Sequence, residues 1–180
     1  LIPLGPARLF VCMLIGAVFA GIAGLIVGVP VLRLRGDYLA IVTLAFGEII
    51  KNIINCLYIG VDGSGLHFSV TSEAALNLAE GGTAVIKGPM GATGYAKLAT
   101  FTAGFLLVIV SLVVVLNLIH SRSGRAIMAL RDNRIAAESV GIGATKYKLM
   151  AFVTSAVLAG AAGALYAMNY GSIAAKKFDF

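Results

Sequence analysis

Four stretches of this chain stay apolar long enough to cross a lipid bilayer: Arg8–Val29, Tyr38–Leu57, Ala99–Ile119 and Leu149–Tyr170. No other feature restricts its fold as much. A helix of ~20 residues, at ~1.5 Å per residue, covers the ~30 Å hydrocarbon core. Lipid offers no partner to a bare peptide group, so such a stretch must satisfy its own backbone as a helix. The composition agrees. The chain is 59% hydrophobic and 12% charged, where soluble domains carry about 25% charge. The expected fold is an all-α, polytopic transmembrane bundle, one domain over residues 1–180 with about four membrane segments. The second segment also admits a short or re-entrant reading.

Charge sets the orientation. Arg33 and Arg35 follow the first span, and Arg122, Arg125, Arg131, Arg134, Lys146 and Lys148 lie between the third and fourth. Short basic loops stay in the cytoplasm because Lys and Arg resist translocation. This gives a cytoplasmic loop at 121–148 and an extracytoplasmic loop at 58–98, which holds only Lys87 and Lys97. The latter is rich in Gly, Ser, Thr and Ala, with one short helix expected around Ser72–Glu80. The net charge of +6 is this membrane signal. No basic face interleaved with aromatics points to nucleic acid. The chain opens on LIPLG without Met and closes on AAKKFDF. It therefore reads as a piece of a longer protein, and its first stretch reads as a span because it lacks a basic n-region.

Small residues recur at every fourth position in two spans. The first carries Gly16, Ala20, Gly24 and Gly28. The last carries Ser155, Ala159, Gly163, Ala167 and Gly171, with Ala156, Gly160 and Ala164 on the adjacent row. Such rows let helix backbones approach closely in lipid. Gly24, Gly28, Gly160 and Gly163 are the expected packing positions.

Glu48 lies ~15 Å along the second span, near mid-membrane, with Lys51 and Asn52 at i+3 and i+4. Ionisable residues at that depth are costly and face bundle interiors. With Thr43 they form a candidate translocation path or intramembrane polar site. The plainer alternative is a Glu48–Lys51 pair at a segment end. A proton relay wants further acids at this depth, and the spans supply none. Cys12, Cys56, His67 and His120 make no ligand spacing, so no metal, disulfide or cofactor is implied.

The 121–148 loop reads as two short helices. Ser123–Arg131 is amphipathic. Asp132 or Asn133 can cap a helix over Arg134–Val140, Arg134 and Glu138 pair at i,i+4, and Gly141 ends it. Thr145 is placed to cap the last span. Ile135, Ala136, Ala137, Val140 and Ile142 have little reason to face water, which favours a docking surface over a solvated connector.

At these residues the chain resembles a known family. LRLRGDYLAIVTLAFGEIIKNIIN (Leu32–Asn55), GRAIMALRDNRIAAESVGI (Gly124–Ile142) and YKLMAFVTSAVLAGAAGALYA (Tyr147–Ala167) are similar to LivM-type permeases of bacterial branched-chain amino-acid ABC importers. The external loop departs from the family pattern, offering VDGSGL at Val61–Leu66. The resemblance implies a multi-pass protein of the bacterial inner membrane. It implies a second homologous permease, two cytoplasmic ABC ATPases, an extracytoplasmic solute-binding protein and surrounding lipid as partners. Arg131, Asp132, Arg134, Glu138 and Gly141 would then belong to the ATPase-coupling loop. No catalytic residue is expected, since the chain lacks GxxxxGK[ST], HExxH and GxSxG patterns. Urea or short-amide ABC permeases fit the same strings. An ion-coupled carrier and a purely structural membrane subunit are the readings from other classes.

Overall fold

A computed structural model of the chain describes residues 5–32, 34, 37–62, 65–70, 83–93, 97–170 and 172–173. Four helices in it are long and apolar enough to cross a membrane: Ala7–Val31, Tyr38–Cys56, Phe101–His120 and Ala144–Tyr170. They belong to α1 (Gly5–Val31), α2 (Asp37–Cys56), α3 (Phe101–His120) and α6 (Ala144–Tyr170), with α4 (Arg122–Asp132) and α5 (Arg134–Ser139) between α3 and α6. The transmembrane helical fold is thus the one expected, with adjusted ends. Pro30 does not stop α1, which runs one residue further. A proline there removes only one backbone donor from the final turn. α6 begins at Ala144, ahead of Thr145, so Thr145 lies inside the helix and does not cap it. Arg33, Arg35, Gly36, Gly81 and the helix expected around Ser72–Glu80 lie outside the described residues, as does the Asp37 side chain.

The chain divides into two compact units, one of Leu1–Ala40 with Leu98–Tyr166, the other of Ile41–Lys97 with Ala167–Phe180. In the first unit α1 and α6 meet through small residues. A methyl group added at Gly24 would sit 2.7 Å from the Ala156 Cβ, and one at Gly28 2.9 Å from Leu149 Cδ1. One added at Gly160 would collide with the Ala20 methyl and stand 2.6 Å from the Gly16 carbonyl oxygen. Backbone-to-backbone approach of this kind replaces the missing hydrophobic drive between helices in lipid. α6 turns its Ala156–Gly160–Ala164 row to α1. In the neighbouring row Ser155, Ala159 and Gly163 are exposed, and a methyl at Gly163 would meet nothing within 4 Å. α3 is capped by Thr100, whose hydroxyl oxygen accepts from the Ala103 amide at 3.3 Å.

The second unit holds most of α2 and a small sheet that the all-helical expectation did not include. Its strands are β1 (Tyr58–Asp62), β2 (Gly65–Ser69), β3 (Thr83–Lys87), β4 (Ala92–Thr93) and β5 (Ser172–Ile173), in the order β2-β1-β3-β4-β5. Every described pairing is antiparallel. The β1–β2 hairpin closes with Asp62 opposite Gly65, the Asp62 carboxylate accepting from the Gly65 amide at 3.2 Å. His67, which stands alone in the sequence, reaches the same carboxylate at 3.2 Å. β5 pairs Ile173 with Ala92. The segment after α6 therefore lies beside the segment that follows α2.

Candidate functional site

The candidate residues fall in two sets: the elbow of α4 and α5, and the polar face of α2. The elbow begins where α3 stops. Ser121 is the last cap of α3 and the first of α4. Its hydroxyl donates to the Leu118 carbonyl at 2.6 Å and accepts from the Gly124 amide at 3.0 Å. The turn is tight enough that a methyl at Gly124 would overlap the Leu118 and Ile119 carbonyls. A side chain is therefore excluded where α4 folds back.

Asn133 forms the second joint. Its amide donates to Ala129 at 3.0 Å, closing α4, and its Oδ1 accepts from the Ala136 amide at 3.0 Å, opening α5. Of the two residues proposed from sequence, Asn133 is the cap; Asp132 is the final residue of α4. α5 then stops in a Schellman motif. The Ile142 amide donates to Ala137 and the Gly141 amide to Glu138, both at 3.1 Å, the crossed pair of bonds that satisfies a helix end. Gly141 has φ +86°, a conformation that costs a side-chain-bearing residue ~1–2 kcal/mol.

Inside the elbow Leu130, Ala137 and Ala144 are buried together, with Ile142 and Tyr147 against them. Burial of Ala137 and Ile142 fixes how α5 is rolled. It leaves Ile135 81% exposed and Val140 75% exposed. The apolar residues of the loop are thus split: Ala137 and Ile142 hold the elbow together, while Ile135, Ala136 and Val140 are presented outward. Around them, Arg134 Nε meets Glu138 Oε1 at 2.8 Å, and Arg131 meets Asp132 at 3.2 Å. The Arg131 pair is largely exposed and adds at most ~1 kcal/mol. Beside the elbow, Val115, Ile119, Met128, Ala151 and Leu158 line an apolar groove of about 270 Å³.

In α2, Lys51 Nζ lies 2.8 Å from Glu48 Oε1, with the Glu48 side chain 55% exposed and that of Lys51 16%. At ~100° per residue, Gly47, Glu48, Lys51, Asn52 and Asn55 fall within an arc of ~140°, while Thr43 lies beyond it, opposite Asn52. Asn55 Oδ1 is enclosed without a hydrogen-bond partner among the described residues. The structure brings Arg134 and Glu138 together on α5, with Gly141 just past its end, and Glu48 with Lys51 on α2. Among the described residues no group of His, Cys, Asp and Glu is arranged to hold a metal.

The family model described as branched-chain amino acid transport system / permease component matches residues 1–180. The chain belongs to this permease family. Two curated permeases are similar to it. One is the high-affinity branched-chain amino acid transport system permease protein LivM of Escherichia coli strain K12, 38% identical over 94% of this chain and 42% of that protein. The other is the protein of the same name from Salmonella typhimurium strain LT2, 37% identical over 94% of this chain and 42% of its own length. This permease chain thus spans about two fifths of the length of these relatives. No solved structure matches it. Family and helices together make it a multi-pass protein of the inner membrane.

Proposed function

We propose that this chain is part of the transmembrane permease subunit of an ABC importer and forms a translocation path for branched-chain amino acids. ATP is hydrolysed on partner ATPases, which seat on the α4–α5 elbow from the cytoplasm. A second permease completes the path, and a solute-binding protein delivers substrate to the face that bears the sheet. The observation that carries this reading is α5 itself: a rigid, doubly capped helix in a cytoplasmic loop that presents Ile135 and Val140 outward. Apolar side chains held in water by a fixed backbone suit a groove on a soluble partner. Arg131, Asp132, Arg134 and Glu138 ring that contact. Gly141 stops the helix so that motion of the partner passes to α6. Glu48, Lys51 and Asn52 face the path.

Capture of ATPase subunits by the detergent-solubilised protein tests the reading. Wild type should retain them. Glu138→Lys places a cation against Arg134, and Gly141→Trp forces a bulky residue into the left-handed region; both should release them. Capture that is equal in all three forms removes the elbow from the ATPase interface.

A further inference from the structure

Apart from Arg8, Lys146 and Lys148 near their N-terminal ends, the four membrane-length helices carry two charged side chains among the described residues, Glu48 and Lys51. They are 2.8 Å apart on one helix. A charge left alone at this depth costs ~2.5–3.5 kcal/mol on insertion scales. Such a pair survives because each partner cancels the other. A pair kept only for helix stability has no reason to sit there, since an apolar pair of similar volume is often as stable or more so.

The surroundings narrow the role. The pair lies on the side of α2 that also carries Asn52 and Asn55, so it can meet water or a polar ligand. A methyl at Gly47, next to Glu48 and one turn before Lys51, would meet no atom within 4 Å. Glycine in a helix interior costs about 1 kcal/mol, and no described contact requires it here. It leaves an open notch beside the two charges. Leu44, one turn before Glu48, is 57% exposed. The arrangement is an anion, a cation, a notch and an apolar side chain within two turns.

We propose that Glu48 and Lys51 read the two charged ends of an amino-acid zwitterion during translocation, an inference that rests on the permease reading above. Lys51 takes the α-carboxylate and Glu48 the α-ammonium, while the hydrocarbon tail lies over Gly47 against Leu44. With no substrate the two side chains pair with each other, which keeps the path neutral. Substrate exchanges that one ion pair for two of the same kind. Release restores it, so the site binds without trapping.

The test uses the complete transporter in lipid nanodiscs without solute-binding protein. Binding is measured for leucine, for 3-methylbutylamine (no carboxylate) and for 4-methylpentanoate (no ammonium). Wild type should bind leucine best. Lys51→Met should weaken leucine roughly ten- to hundredfold, the span expected for a hydrogen bond to a charged group, and leave the amine unchanged. Glu48→Gln should weaken leucine similarly and leave the carboxylate unchanged. Gly47→Leu fills the notch without touching a charge and should lower leucine binding at least tenfold. Equal weakening of all three ligands in both charge variants, or leucine binding at the wild-type level in Gly47→Leu, overturns the proposal. So does a wild-type transporter that captures its ATPases but binds no leucine; the permease reading then stands. Failure to capture ATPases at all defeats that reading instead.

Discussion

Replacing Gly160 with alanine puts the α1–α6 contact to a sharp test. The new methyl would overlap the Ala20 methyl and stand 2.6 Å from the Gly16 carbonyl oxygen. One of these partners is backbone, so no rotamer change relieves the clash. Ordinary contact needs ~3.5 Å, so the helices must part by roughly 1 Å locally. Parting loosens the approach of Gly24 to Ala156 and of Gly28 to Phe152, which share the same seam. Overpacking of this kind costs ~1–3 kcal/mol. The matched control is Gly163→Ala, three residues along the same helix, where the methyl would meet nothing within 4 Å. Both variants gain the same helix propensity, about 1 kcal/mol, so that term cancels between them. The difference is then the seam alone, ~1–3 kcal/mol, or roughly five- to a hundredfold in the unfolding equilibrium. Unfolding of the purified protein in mixed micelles, followed by far-UV circular dichroism, measures it. Gly160→Ala should be the less stable of the two. Equal stability, or greater damage from Gly163→Ala, would refute the seam and its choice of row on α6.

Three further outcomes follow from the elbow. Gly124→Ala drives a methyl into two backbone carbonyls and should sharply lower the yield of monodisperse protein, whereas Gly143→Ala, which meets nothing within 4 Å, should not; size-exclusion profiles decide. Asn133→Ala removes the cap of α5 and should cost ~1 kcal/mol of local stability, visible as faster amide exchange at Ala136 and Ala137. Gly141→Ala should cost ~1–2 kcal/mol from its left-handed backbone and weaken ATPase capture less than Gly141→Trp does.

The spans were legible because each is a long apolar run, and lipid leaves such a run one solution. The elbow was legible because capping is local chemistry: Asn133, the Arg134–Glu138 pair and Gly141 act within one turn of their own positions. What escaped depends on contacts between distant segments. The sheet had a local sign, Asp62-Gly63 between YIGV and GLHFS, since Asp-Gly flanked by β-prone runs is a hairpin signal. The joining of β5 had none, because two residues after a long helix carry no pattern. On α6 both candidate rows are built of small residues, and only the partner helix selects one. The exposure of Ile135 and Val140 likewise follows from how Ala137 and Ile142 are buried, which spacing along the chain does not determine. The spacing of Glu48 and Lys51 leaves both an intramembrane polar site and a simple i,i+3 pair open; the 2.8 Å contact and the open space at Gly47 come from the structure.

Uptake of radiolabelled leucine by proteoliposomes tests the central claim most directly. The complete transporter is reconstituted with ATP inside and solute-binding protein outside. The account predicts accumulation that requires ATP, persists with an uncoupler and is lost in Glu138→Lys. Accumulation that survives without ATP and collapses with the uncoupler would contradict it and make the protein an ion-coupled carrier.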